Sequence, residues 1–117
     1  LNDLNSMLLD GNISKDPVVR YTPNQTPIVT FPVASNYFYK EEGTTQRETS
    51  FFDVEAWGKL AEKCLSMAHK GRRCRVTGRL KQEKWDGPDG KPRSRVIIVA
   101  AHIEYKPEGH KEGLYGN

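Results

Sequence analysis

Residues 50–85 read SFFDVEAWGKLAEKCLSMAHKGRRCRVTGRLKQEKW, and their periodicity changes twice. Over residues 50–57, Phe52, Val54 and Ala56 alternate with Phe51, Asp53, Glu55 and Trp57. From Gly58 the period lengthens, and Leu60, Ala61, Cys64, Leu65 and Ala68 recur at helical spacing. Gly71 stands where a helix C-terminal glycine belongs, with Lys70 just before it. Alternation then returns, with Cys74, Val76, Gly78 and Leu80 set against Arg73, Arg75, Thr77, Arg79, Lys81, Glu83 and Trp85. Strand side chains point to opposite faces with a period of two, so the small and apolar sets face a core. The stretch therefore predicts strand, helix, strand.

Outward from this centre the chain predicts more strands and no second helix. LNSMLLDGNI is a short first strand, bent or bulged at Gly11. KDPVVRYTPNQTP carries three prolines and reads as an irregular link, with one short extended stretch at Val18 to Tyr21. IVTFPVASNYFY is strand-like, with Val29, Phe31 and Val33 on one face. Pro32 donates no ladder bond, which argues for an edge or bulge there. KEEGTTQ reads as a polar hairpin loop and DGPDGKP as a turn. SRVIIVAAHIEY is a last strand, and KPEGHKEGLYGN has no periodicity. We therefore expect one domain over residues 1–106 and a flexible tail over 107–117.

Five strands with one helix between the third and fourth is the connectivity of the OB-fold, a five-stranded Greek-key barrel. The expected class is all-β with one helix. Ligands of such barrels lie on strands 2 and 3 and on the loops between strands 1–2 and 4–5. Here the strand 2–3 segment supplies Tyr37, Phe38, Tyr39, Phe51 and Trp57, and the strand 4–5 arm supplies Trp85.

The outward set places Phe51, Trp57 and Trp85 among arginines and lysines. Flat rings beside cations suit stacked bases and a phosphate backbone, as on proteins that hold single-stranded nucleic acid. The net charge of +3 is compatible with a polyanionic partner without demanding one. The phase shared with Trp85 favours Arg79 and Lys81 as phosphate contacts, with Arg73 and Lys84 in the same basic run. Arg20, Lys40 and Arg95 are weaker candidates, from loops and strand ends. Phe52, in the inward phase, is expected in the core or in a subunit contact.

No chemistry beyond binding is legible. His69, His102 and His110 have no partner at metal-ligand spacing. No nucleophilic triad, phosphate-binding glycine loop or dinucleotide motif is recognisable. We expect no catalytic residue, no metal and no cofactor. Cys64 and Cys74 both fall on apolar faces, which favours two buried free thiols in a reducing compartment, with a disulfide between them as the alternative. No apolar run approaches the length of a membrane span, and no signal-peptide pattern is present.

The chain also resembles the bacterial-type single-stranded DNA-binding proteins, from about Asn5 to Tyr105. GNISKDPVVRYTPNQTPIVTFPVAS is similar to the family's opening, FFDVEAWGKLAEKC to its third strand and helix, and KGRRCRVTGRLKQEKW to its fourth strand. WGKLAE is the most specific part. The resemblance implies a homotetramer that coats single-stranded DNA in replication, recombination and repair, in the bacterial cytoplasm at the nucleoid. It implies four stacking positions per subunit, which fall here on Tyr39, Phe51, Trp57 and Trp85. Tyr39 shares the phase of Val33, so its place in that set requires a bulge between them, and Phe38 is its rival.

The chain departs from the family's pattern in three respects. Asp53 and Glu55 lie on the expected DNA face, where Arg79 and Lys81 are the expected compensators. Tyr39 and Phe51 stand where some members carry Trp. The family's acidic-tipped tail has no counterpart before Asn117, so replication and repair proteins are expected partners only where the full-length chain carries one. A rival reading from another class is a non-catalytic protein-interaction barrel, such as a replication-restart accessory subunit. A hydrolase is the distant third.

Overall fold

The computed structural model describes residues 1–108, so most of the expected tail lies outside the described residues. The elements are β1 (Met7–Ile13), β2 (Val18–Tyr21), β3 (Pro27–Glu41), β4 (Thr44–Trp57), α1 (Gly58–Met67), β5 (Arg73–Asp86) and β6 (Pro92–Tyr105). In space the strands run β1-β5-β6-β4-β3-β2, and β1 also pairs with β3. That pairing closes β1, β5, β6, β4 and β3 into the expected five-stranded barrel. The short extended stretch expected at Val18 to Tyr21 is β2, a sixth strand added outside the ring along β3. The helix accordingly lies between β4 and β5, the strands read from sequence as the third and fourth.

The barrel closes where side chains are missing. A Cβ on Gly11 would lie 2.4 Å from the Ala34 carbonyl oxygen, and one on Gly78 would lie 2.2 Å from that of Val99. Both contacts are with backbone. The β5–β6 register also shifts between Thr77 and Gly78, so the bend expected at Gly78 coincides with a bulge. Pro32 lies in neither an edge strand nor a bulge. It pairs with Asp53 on one side, while on the other it falls in the gap between the segment of β3 held by β2 and that held by β1. A residue without an N–H is tolerated at such a gap.

The core contains Ile13, Val29, Phe31, Val33, Val54, Val76, Ile98 and Ile103, closed below by Ala61, Cys64 and Ala68 of the helix region. Leu65, expected in the helical stripe, is exposed, because the narrow end of a small barrel takes only the Ala61–Cys64 side of the helix. The helix also ends earlier than expected, at Met67. Gly71 instead occupies the third position of a turn, with φ +93° and the Arg72 amide donating to the His69 carbonyl. Both cysteines are free and buried, and the Tyr105 hydroxyl donates to Cys64 Sγ at 3.2 Å. Burial pushes the Cys74 thiol up to about 11.

Two hairpin arms run past the barrel. β3 and β4 stay paired out to Glu41 and Thr44, so the expected loop narrows to Glu42 and Gly43, both at positive φ as a type I′ turn requires. β5 and β6 stay paired out to Asp86 and Pro92. The radius of gyration, 16.4 Å, exceeds the roughly 13 Å expected of a compact chain of this length. Phe52, expected in the core or in a subunit contact, is 40% exposed, which leaves the contact. Leu80, in the core phase, corrects an expectation, since it is 48% exposed. Beyond the barrel rim the inner face of a strand has nothing to pack against. Asn5 completes the ladder there, exchanging two hydrogen bonds with the Leu80 backbone.

A latch joins the start of the tail to the helix end. Arg72 Nη1 pairs with Glu108 at 3.0 Å, and Glu108 also contacts the His69 ring. The Glu108 carboxylate, with help from the Lys70 carbonyl, holds His69 above the ordinary imidazole value of 6.5. Because the charged ring is favoured in the folded state, the His69 arm of the latch is complete below about pH 6.5 and is lost as pH rises through the raised value, while the Arg72–Glu108 pair stays. Titration of the His69 ring by NMR should show the raised midpoint, and Glu108→Gln should return it toward 6.5. An identical midpoint in both proteins would refute the contact.

Candidate nucleic-acid interface

Strict pairing of β3 with β4, with no shift from Ile28↔Trp57 to Glu41↔Thr44, sets which aromatics share a face. Phe51, Asp53, Glu55 and Trp57 oppose Ala34, Pro32, Thr30 and Ile28. The bulge that Tyr39 needs is absent. Tyr39 therefore remains in the phase of Val33, and Phe38 takes the phase of Phe51 and Trp57. Tyr39 is partly exposed and stacks on Tyr37, with centroids 6.2 Å apart and planes 23° from parallel. The hairpin thus carries rings on both faces, Phe38 on one and the Tyr37–Tyr39 pair on the other.

Phe51 is 65% exposed, Trp57 44% and Trp85 47%. The two arms meet through Arg95. Its guanidinium donates to Glu83 at 3.0 Å and to Asp53 at 3.1 Å. Asp53 shares the phase of Phe51 and Trp57, and Glu83 that of Trp85, so this bridge brings the two aromatic faces onto one continuous surface. Trp85 borders a groove of about 520 Å³ near the end of its arm, with Lys84 and Arg93 beside it.

The carboxylates of this face are neutralised by other residues than expected. Arg95 meets Asp53, and Arg20 meets Glu55 at 3.2 Å. Arg79 and Lys81 make no ion pair among the described residues and remain exposed. Glu55, expected outside with Asp53, is 2% exposed. Its Oε1 accepts from the Trp57 indole N–H at 2.7 Å. The sequence signal available for this was weak: a carboxylate two residues before a tryptophan shares its face, but the pairing of Arg20 with it depends on β2.

The remaining expected cations divide by place. Lys84 alternates out of phase with Trp85 but lines the same groove. Lys40 is exposed near the tip of the β3–β4 arm. Arg73 lies at the far end of β5 from Trp85, twelve residues or roughly 40 Å away along an extended strand. It borders a separate concavity with Leu8, Asp10 and Phe38. Nearby Arg75 is bound to Asp10 through two contacts at 2.7 and 3.0 Å, which hold the Asp10 carboxyl below its ordinary value. The interface thus offers four rings (Phe38, Phe51, Trp57 and Trp85), cations at Arg79, Lys81 and Lys84 that are unpaired among the described residues, and three carboxylates already matched, Asp53, Glu55 and Glu83. Among the described residues no group of three metal-ligating side chains occurs, and no helix is long and apolar enough to cross a membrane.

Comparison with known proteins agrees with this geometry. The model of the single-strand binding protein family matches residues 4–105. The single-stranded DNA-binding protein of Aquifex aeolicus is 42% identical over 109 residues, which span 91% of this chain and 74% of that protein. Single-stranded DNA-binding protein 2 of Chlorobaculum tepidum is 34% identical, over 95% of this chain and 76% of its own length. Among solved structures, a deletion mutant of the single-stranded DNA-binding protein from Thermus aquaticus superposes with a TM-score of 0.78 at 28% identity, covering 91% of this chain and 52% of that one. The Plasmodium falciparum SSB in complex with single-stranded DNA shares the fold, with a TM-score of 0.83 at 20% identity over 92% and 98% of the two chains.

Proposed function

Because the chain belongs to the single-strand binding protein family, we propose that it binds and coats single-stranded DNA without catalysis and with little sequence preference. The observation that carries this reading is the continuous surface of exposed Phe51, Trp57 and Trp85 joined through Arg95. Every base offers a flat face to a ring, so stacking tolerates any sequence. In a duplex those faces are covered, which selects unpaired strands. Trp57, Trp85 and Phe51 are the stacking residues in this reading, with Phe38 and Tyr39 extending the track along the hairpin. Arg79, Lys81, Lys84, Lys40 and Arg20 follow the backbone, and Arg73, which shares a concavity with Phe38, serves a strand that runs past that ring. The cytoplasm of a bacterium is the expected setting, in replication, recombination and repair.

Titration with oligo-dT, followed by tryptophan fluorescence at two salt concentrations, tests the reading. Emission should fall on saturation and duplex of equal length should leave it unchanged. Neutral replacement of Arg79 or Lys81 should each lower the salt slope by about 0.7, the contribution of one phosphate contact on a single strand. Unchanged emission at saturating oligonucleotide would remove both tryptophans from the site.

We also infer a homotetramer. Leu8, Val18 and Val19 are exposed apolar side chains on β1 and β2, and they suit burial between subunits. Light scattering should return four times the chain mass of 13.3 kDa; a monomer at micromolar concentration would overturn the assembly.

A further inference from the structure

Glu55 is the one charged residue buried among those described. A buried carboxylate is costly unless both oxygens find partners. Here each oxygen has its own: Oε1 accepts from the Trp57 indole at 2.7 Å, and Oε2 from Arg20 Nη2 at 3.2 Å. Both partners are themselves exposed, Trp57 at 44% and the Arg20 side chain at 59%. Arg20 and Trp57 also occupy one row across three strands, since each pairs with Ile28 from opposite sides. A single hidden anion thus tethers two surface groups of different kinds, a stacking ring and a cation.

We propose that Glu55 is a positioning residue for single-stranded DNA, holding the plane of Trp57 and the head of Arg20 in place before the strand arrives. The proposal rests on the reading of Trp57 as a stacking platform. An exposed indole on two free torsions must be ordered when a base lies on it, and so must a long arginine. The carboxylate orders both in advance. It does so without presenting its own charge to phosphate, because it is sealed beneath its partners. An acidic residue on this face therefore strengthens binding. The tether also occupies the indole N–H, leaving the ring to bind by its face alone, which suits sequence-indifferent stacking.

The test compares oligo-dT affinity of the wild type, Glu55→Val, Trp57→Ala and the double variant. Valine removes both acceptors while keeping a residue that a buried strand position favours, and the freed N–H groups can reach water. Glu55→Val should bind about tenfold more weakly, the cost of ordering one to two side chains. Most of that loss should disappear when Trp57 is already alanine. Equal losses in both backgrounds would show that Glu55 does not act through Trp57 and would overturn the proposal. So would full affinity in Glu55→Val while Trp57→Ala is impaired. Full affinity in Trp57→Ala would instead overturn the stacking reading, and the positioning role with it. A second measurement needs no variant: the Trp57 indole N–H should exchange with solvent more slowly than that of Trp85, which has no partner among the described residues. Equal exchange rates would overturn the tether.

Discussion

Trp57→Ala and Trp85→Ala are each expected to weaken oligo-dT binding by about 1–3 kcal/mol, the value of one base stacked on an aromatic ring. In affinity that is roughly five- to 150-fold per site, since 1.4 kcal/mol is a factor of ten. Both rings are about half exposed, so neither replacement opens a cavity in the barrel. Thermal unfolding should therefore change little in Trp85→Ala, whereas Trp57→Ala also takes the partner from Glu55 Oε1 and should unfold somewhat earlier. The two losses need not be equal. Trp57 stands on a strand of the closed barrel and is held by Glu55, whereas Trp85 stands near the end of an arm, before the Gly87–Lys91 turn. The more rigid platform should lose more. Fluorescence anisotropy of labelled oligo-dT at fixed salt measures both. Normal affinity in both variants would move the site elsewhere on the molecule.

The second large effect falls on stability. Gly78→Ala places a methyl group 2.2 Å from the Val99 carbonyl oxygen and 3.1 Å from Ala100 Cα. Neither is a side chain that can swing aside. β6 must move where the β5–β6 ladder already carries a bulge, and Ile98 and Ile103 of the core flank that point. Forcing extra volume into a packed site costs about 1–3 kcal/mol, and a backbone seam lies at the upper end of that range. The melting temperature should fall on the order of 10 °C or more. Gly11→Ala, 2.4 Å from the Ala34 carbonyl oxygen, should act similarly at the β1–β3 seam. Differential scanning calorimetry of both variants checks this, and an unchanged melting temperature in Gly78→Ala would contradict the close approach.

Most of the barrel was legible because its strands sort their residues cleanly. The alternation through Val54 and Ala56, and again through Cys74 and Val76, predicted two strands and the buried face of each. The helical stripe at Ala61 and Cys64 predicted where the chain crosses the end of the barrel. The failures share one cause. Alternation says which way a side chain points, not what stands opposite. Leu80 points inward at a place where the barrel has ended. Glu55 points outward at a place where Trp57 and Arg20 accompany it. The bulge between Val33 and Tyr39 that the resemblance required is absent, because the β3–β4 register is unbroken.

The aromatic face divides the same way. Sequence alone determined that Phe51, Trp57 and Trp85 leave the core and that cations accompany them, because a period of two is a local property of an extended chain. Tertiary structure alone decided that Arg95 would reach Asp53, 42 residues away in the chain, and that Arg20 would meet Glu55. It also decided that Arg79 and Lys81 would be left unpaired among the described residues. Charge pairing depends on distances between strands, and those are set only when the ladder closes.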